Sequence, residues 1–421
     1  MDAPVEIPNP IDRFFLQAVL IVLWGTLSFT RMEILLYAQG IPPTTYQVLL
    51  RRDVPMVIII AFIFLIAMMK LGRQVRIRNF WVFISLPLFI FWIIMAGAAK
   101  AEAPLFFAFA CLHWVLAYLA FLIIPPLIKP FDLIDFALDA FLGCAIVVGV
   151  IHMLDMAMNP DQLLAGVPGM FGGNRAHVGL YFLISMATAF YAWSERPRRL
   201  HVAAIVVSLI CLLISGSRAA QIAAAIFMCL LILARGTFKT YLLGVPTIAG
   251  FVAFFKLILA DRASNAFSVG NGVTIDASAG NRLIIWLKSW EIITQSKEHF
   301  FIGIGFCNFR FLYNKLVTTP FYANAAHNLY LHYWVETGLI GLILLLAICA
   351  TLFFYCWSVG KRHRNLRYMA FLTLGIIFTG FTQETLVPDA SFGNVLTLYF
   401  LIMGLTIYKA AAADGAIRAQ A

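Results

Sequence analysis

Apolar blocks of roughly 16 to 22 residues, almost free of charge inside, recur down the whole chain and limit its folds more than any other feature. A helix needs about 20 such residues to cross roughly 30 Å of hydrocarbon, so each block is long enough to span a bilayer. Transmembrane strands would show alternating segments of about ten residues, whereas these blocks are continuous. The 421 residues are 62% hydrophobic and 12% charged, against about 45–50% and about 25% for an average soluble domain. A water-soluble enzyme is excluded. The chain is expected to be an all-α, polytopic integral membrane protein, with residues 1–421 forming a single membrane domain.

Twelve spans are expected: Phe14–Thr30, Val54–Met69, Phe80–Ala96, Pro104–Ile124, Leu133–Met153, His177–Trp193, Leu200–Ser215, Ala219–Ala234, Tyr241–Leu259, Gly338–Trp357, Tyr368–Leu386 and Phe392–Tyr408. Alternate connections carry the basic clusters: Lys70, Arg73, Arg76 and Arg78; Arg196, Arg198 and Arg199; Arg235 and Lys239; Lys361, Arg362, Arg364 and Arg367. Lys/Arg excess in short loops marks the cytoplasmic side, so both termini are expected there. This bias and the pull of anionic headgroups account for the net charge of +10 without a nucleic-acid partner. Met1 to Asp12 lacks the basic start of a signal peptide, and the first span is expected to be retained. Six of the seven cysteines lie inside apolar spans and Cys307 stands alone, so no disulfide framework is suggested.

The connection from Ala260 to Asn328 is the one large extramembrane piece and falls on the side opposite the basic loops. Loops of that length are usually functional or structured. Gly270–Gly280 reads as a flexible stretch, and Asn281 to Glu298 as an amphipathic helix with Leu283, Trp286, Leu287, Trp290 and Ile293 at helical spacing. Such a helix suits the membrane surface.

Ionisable groups at a membrane mouth are site candidates. Arg218 sits in Ser215-Gly216-Ser217-Arg218-Ala219-Ala220, a hairpin tip between two spans. By position alone, an arginine snorkelling or capping carbonyls fits it equally well. Arg282 opens the expected loop helix, with Trp286 one turn on; a solvated surface arginine is the plain alternative. Arg175 stands at the mouth of the sixth expected span after a Gly-rich approach, as a headgroup binder or a structural residue. The run from His327 through Asn328, Tyr330, His332 and Glu336 to Gly341 leads from the loop straight into a span. Histidine is the commonest general base near neutral pH, and His327 and His332 are rivals for that role. Glu336 could orient a histidine or cap the helix that follows.

No GxxxxGK[ST] loop is present, so direct nucleotide hydrolysis is not expected. No Cys/His spacing suggests zinc, and no close acid pair suggests a divalent ion on phosphates. Arginine forks match phosphate oxygens without a metal. The residual chemistry is a diphosphate ligand and a proton transfer, with no cofactor.

These residues resemble the O-antigen ligase family. The resemblance rests on Ser215-Gly216-Ser217-Arg218-Ala219-Ala220 at a hairpin, Arg282 with Trp286 in a large loop, and His327-Asn328-x-Tyr330-Leu331 followed by Glu336-Thr337-Gly338-x-x-Gly341. The family pattern usually reads Gly-Ser-Arg-Gly, and Ala219 replaces its last glycine. The resemblance implies a membrane glycosyltransferase of GT-C-like, twelve-span architecture in the Gram-negative inner membrane, with residues 260–328 as its periplasmic loop. It implies an undecaprenyl-diphosphate-linked glycan as donor and lipid A-core oligosaccharide as acceptor, within membrane lipids. His327 would be the base, and Arg218, Arg282 and Arg175 would hold the diphosphate. Support would come from Ser217, Trp286, Asn328, Tyr330, His332, Glu336 and Asp389. O-antigen polymerases and protein O-oligosaccharyltransferases share these features, but the paired arginine-glycine loops frequent in polymerases are not found. No paired carboxylate suited to a covalent glycosyl intermediate is visible, so an inverting single displacement is expected. A transporter of lipid-linked or anionic solutes is the rival class. Transporters favour mid-membrane ionisable groups and repeated halves, and no internal repeat is seen. A monomer is plausible on this reading.

Overall fold

Among the described residues the apolar blocks become helices. The computed structural model describes residues 10–29, 80–159, 175–235, 245–246, 248–250, 253, 267–269, 273–275, 277–316, 325–388 and 393–420. In chain order the elements are α1 (Pro10–Phe29), α2 (Phe80–Ala98), α3 (Pro104–Ile128), α4 (Ile134–Met158), α5 (Arg175–Glu195), α6 (Arg199–Ile214) and α7 (Arg218–Arg235). A hairpin of β1 (Phe267–Val269) and β2 (Val273–Ile275) follows, then α8 (Ala277–Thr294), α9 (Lys297–Phe301), α10 (Phe309–Leu316), α11 (Leu329–Val359), α12 (Arg367–Gly380) and α13 (Gly393–Gln420). Among the described residues six helices, α1, α3, α4, α5, α11 and α13, are long and apolar enough to cross a membrane, and α2, α6 and α7 contain shorter apolar helices. The expected span Val54–Met69 and most of Tyr241–Leu259 lie outside the described residues. The expected span Tyr368–Leu386 is shorter in the structure, because α12 ends at Gly380.

The centre of the bundle is α5, whose residues from Ala176 to Ala192 are all buried. It starts beside α7: a Cβ on Gly179 would stand 2.5 Å from the Ala220 Cβ and 2.9 Å from that of Ser217. Only a glycine lets the helix come that close to the hairpin tip. Phe227 of α7 meets the rings of Tyr368 and Phe371 at 6.5 and 6.3 Å, and further along Gly375 packs on Ala223. This register makes α7 and α12 antiparallel. The start of α7 and the end of α12 therefore share one end of the bundle.

The opposite end is ionic. Arg196 pairs with Asp135 and Asp139, Arg198 with Asp139 at 2.6 Å, and Lys409 with Asp135 at 2.7 Å. Asn365 donates to Glu195, so the basic connections after α5 and α11 meet at this same end, as the charge bias requires.

The described parts of the large connection carry regular structure. The stretch expected to be flexible contributes to a two-stranded hairpin, with Phe267 opposite Ile275, and the helix begins at Ala277 instead of Asn281. On α8 the residues Ile285, Ser289, Ile292 and Ile293 are buried, while Leu283, Leu287 and Trp290 are exposed. One face packs inward and a second apolar stripe stays outside, the pattern of an interfacial helix.

A break in α11 joins this layer to the bundle. Gly338 adopts φ 67° and ψ −176° in the middle of the helix, which divides α11 into a segment Leu329–Thr337 and a longer part that follows, although the whole of Leu329–Val359 is long and apolar enough to cross a membrane. The break frees carbonyls that the chain then reuses. Ile304 N donates to Val335 O and Gly305 N to Glu336 O, both at 2.9 Å, and the Trp92 indole donates to Thr337 O at 2.9 Å. A Cβ on Gly338 would meet the Phe301 carbonyl at 2.2 Å. Gly338→Ala combines the strain of a backbone region essentially reserved for glycine, about 1–3 kcal/mol, with overpacking of about 1–3 kcal/mol. It is expected to lower the melting temperature in detergent clearly. Gly375→Ala, which meets only ordinary contacts from 3.4 Å outward, should match or exceed the parent. Equal melting of the two variants would refute the close-approach account.

Candidate active site

The hairpin motif is built for its turn. Gly216 takes φ 64°, the left-handed region open to glycine. Ser215 Oγ donates to Leu212 O at 2.8 Å and accepts from Ser217 N at 3.3 Å. Ser217 Oγ accepts from Ala220 N at 3.4 Å, in the manner of an N-cap, and Gln221 Nε2 ties the tip back to Leu213 O at 2.9 Å. Arg218 is thereby fixed as the first residue of α7 and is half-buried. Arg175 is the first residue of α5, likewise half-buried, and the Gly179 contact puts the starts of α5 and α7 side by side. Both arginines extend from helix starts, where unpaired N–H groups also favour anions.

The second half of the site leads into α11. Asn328 caps that helix, its Oδ1 accepting from Tyr330 N and Leu331 N at 3.0 Å each, while its Nδ2 donates to Phe381 O at 3.0 Å. Tyr330 OH donates to Ile377 O at 2.5 Å. Both side chains tie α11 to the end of α12, so they are structural supports. His332 is buried, with Nδ1 accepting a long 3.5 Å contact from Ala326 N and Nε2 3.4 Å from Glu336 Oε2. Glu336 Oε1 accepts from Phe309 N at 2.9 Å. Glu336 therefore faces His332 and pins the loop, and neither of these two side chains is open to solvent.

His327 differs from its rival. Its side chain is 39% exposed, and its backbone sits at φ 50°, an uncommon conformation for a residue with a side chain that tends to occur at functional sites. Glu384 holds it there: Oε1 accepts the His327 backbone N–H at 2.5 Å and lies 3.0 Å from Nδ1. The carboxylate is only 2% exposed. Burial alone would push its pKa up, but the hydrogen bond and charge of His327, with His332 behind, outweigh that and hold it below its ordinary value. An ionised carboxylate at Nδ1 favours the tautomer with its proton there and leaves Nε2 as the basic nitrogen.

Arg282 approaches from α8. It lies in the second turn of that helix instead of opening it, one turn before Trp286. The Trp286 indole donates to Ala326 O at 2.9 Å, next to His327, and so fixes this face of α8 against the histidine. Arg310 borders the neighbouring cleft, with its guanidinium 4.5 Å over the Phe106 ring. Cys307, His332, Glu336 and Glu384 line the same cleft, whose room of about 20 Å³ suits roughly one water. Asp389, a sequence candidate, lies outside the described residues.

Arg175, Arg218 and His327 thus share one end of the bundle, and Trp286 brings the Arg282 face of α8 to that end. Sequence reasoning passed over Glu384. The one available signal was an acid at the far end of a span, the sole carboxylate besides Asp389 between Arg367 and Phe392. The arrangement can hold an anion on arginines and accept a proton at Nε2. Residues 203–346, from within α6 to just beyond the α11 break, match the family model described as O-antigen ligase. No curated protein matches the chain.

Proposed function

We propose, from the match of residues 203–346 to the family model described as O-antigen ligase, that the chain acts as a member of that family and transfers an O-antigen glycan from undecaprenyl diphosphate to a sugar hydroxyl of lipid A-core oligosaccharide. The observation that carries the reading is the His327–Glu384 pair at 3.0 Å, on the end of the bundle where α7 presents Arg218.

The donor enters from the bilayer with its diphosphate against Arg218 and Arg282, and Arg175 beside them. His327 Nε2 takes the proton of the acceptor hydroxyl as its oxygen bonds to the anomeric carbon. The bond from that carbon to the phosphate oxygen breaks, and the electron pair leaves with undecaprenyl diphosphate. Charge grows on the leaving group during this step, so arginines fixed beforehand stabilise the transition state more than the ground state. Single displacement inverts the anomeric centre. The donor bond supplies the driving force, without ATP or metal. The site then faces the periplasm and both termini lie in the cytoplasm, in a Gram-negative inner membrane.

Purified protein, detergent-dispersed donor and lipid A-core, without ATP and with EDTA, are expected to yield a covalent glycan-core product, read by mass shift of the acceptor. Lengthened donor with unchanged acceptor would show polymerisation. Movement of donor across vesicles without product would show transport.

A further inference from the structure

We propose that an anionic phospholipid occupies a groove along the outer face of α6, at the ionic end opposite His327. The groove is shallow and open to its surroundings, with room of about 640 Å³, a shape suited to a chain lying along the protein surface and not to an enclosed ligand. Val202, Val206 and Val207 line it at helical spacing, and Trp193, Arg198 and Arg199 frame its mouth. Val202 and Val206 are each 46% exposed on a helix apolar enough to sit in hydrocarbon. Tryptophan and arginine at the head of such a groove mark the depth of lipid headgroups.

Local charge identifies the occupant. Asp139 binds Arg196, Arg198 and His201, and Asp135 binds Arg196 and Lys409. Arg198 is thus held in place while 55% exposed. Its neighbour Arg199 is exposed and has no ion pair among the described residues. A phosphodiester meets this pair as guanidinium forks meet phosphate, and its acyl chain continues along the valines. A free phosphate would use the arginines and leave the apolar wall bare. The glycan donor is a different occupant on the proposed function, on which this step rests, because that reading puts its diphosphate at the other end of the bundle. The lipid belongs to the leaflet at the basic loops, where anionic headgroups concentrate.

The test is native mass spectrometry of the full chain in mild detergent, titrated with phosphatidylglycerol or phosphatidylcholine. One phosphatidylglycerol is expected to be retained in preference to phosphatidylcholine. Arg199→Gln should cut retention about fivefold, the worth of one cation at an anionic surface. Val206→Trp, which fills the groove and leaves the charge intact, should also cut it and carries the test should Arg199→Gln elute aggregated. Arg364→Gln, a basic change at the same end but outside the groove, should retain lipid normally. Equal binding of phosphatidylcholine, unchanged retention in Val206→Trp, or equal loss in Arg364→Gln would overturn the proposal. Displacement by millimolar inorganic phosphate would reassign the groove as a free-phosphate site and overturn it too.

Discussion

Replacing His327 by alanine is expected to cut glycan transfer by about 10²–10⁴-fold, the usual worth of a positioned general base, while donor capture stays close to that of the parent. The exposed imidazole is the group with a carboxylate at Nδ1 and an outer nitrogen left to work. His332 should behave differently, because its nitrogens face Ala326 and Glu336 inside the protein; His332→Ala should lower the melting temperature along with activity. Glu384→Gln supplies the sharper reading. The amide oxygen can still accept the His327 backbone N–H, but the carboxylate that sets the imidazole tautomer is gone, so turnover should fall while donor capture and melting temperature stay close to those of the parent. Full transfer by His327→Ala would remove the base assignment, and unchanged turnover in Glu384→Gln would remove the orienting role.

Arg218→Ala and Arg282→Ala should each lower turnover by about 10²–10³-fold, the scale of losing one oriented partner of a developing charge. Each should also weaken donor capture, unlike the histidine change. Lysine at these positions should restore little, because an ammonium cannot fork across two phosphate oxygens. The two losses should fall short of additive in the double variant, since the proposed mechanism has both groups act on one diphosphate. Steady-state rates against donor concentration, with binding followed separately on a non-transferable donor, check this. Normal saturation by donor in both single variants would take the diphosphate away from these arginines.

The parts of this molecule governed by local rules could be read from the chain. A continuous apolar run can only be a span or a core, so α1, α3, α4, α5 and α13 begin or end within a few residues of their expected limits. The hairpin at Arg218 was equally open to reading, because Gly216 and Ser217 are the residues a tight turn and a cap require. The run from His327 to Gly341 was legible as a motif but not in its division of labour. Asn328 caps α11, Tyr330 ties it to α12, Glu336 anchors the loop, Gly338 breaks α11, and His327 alone of these faces outward. Glu384 was not legible. Its partner lies 57 positions away, and no periodicity distinguishes an acid that holds a histidine from one that ends a helix. The link from Ile304 and Gly305 to Val335 and Glu336 was hidden for the same reason, since it uses backbone groups that every residue has.

That link determines what can be exchanged between relatives. A graft of the external layer onto another scaffold cannot be cut at the apparent edge of the membrane. Within residues 303–308, Ile304 and Gly305 bond to the carbonyls freed at the α11 break, Lys100 fastens Gly303 and Asn308, and Trp92 holds the Thr337 carbonyl beside them. The transferable piece runs from Ser296 to Gly341 and must be accompanied by Trp92 to Glu102. Lengthening the chain between β2 and α8 leaves that piece intact, whereas inserting one residue between Gly303 and Asn308 dislocates both the layer and the helix beneath it.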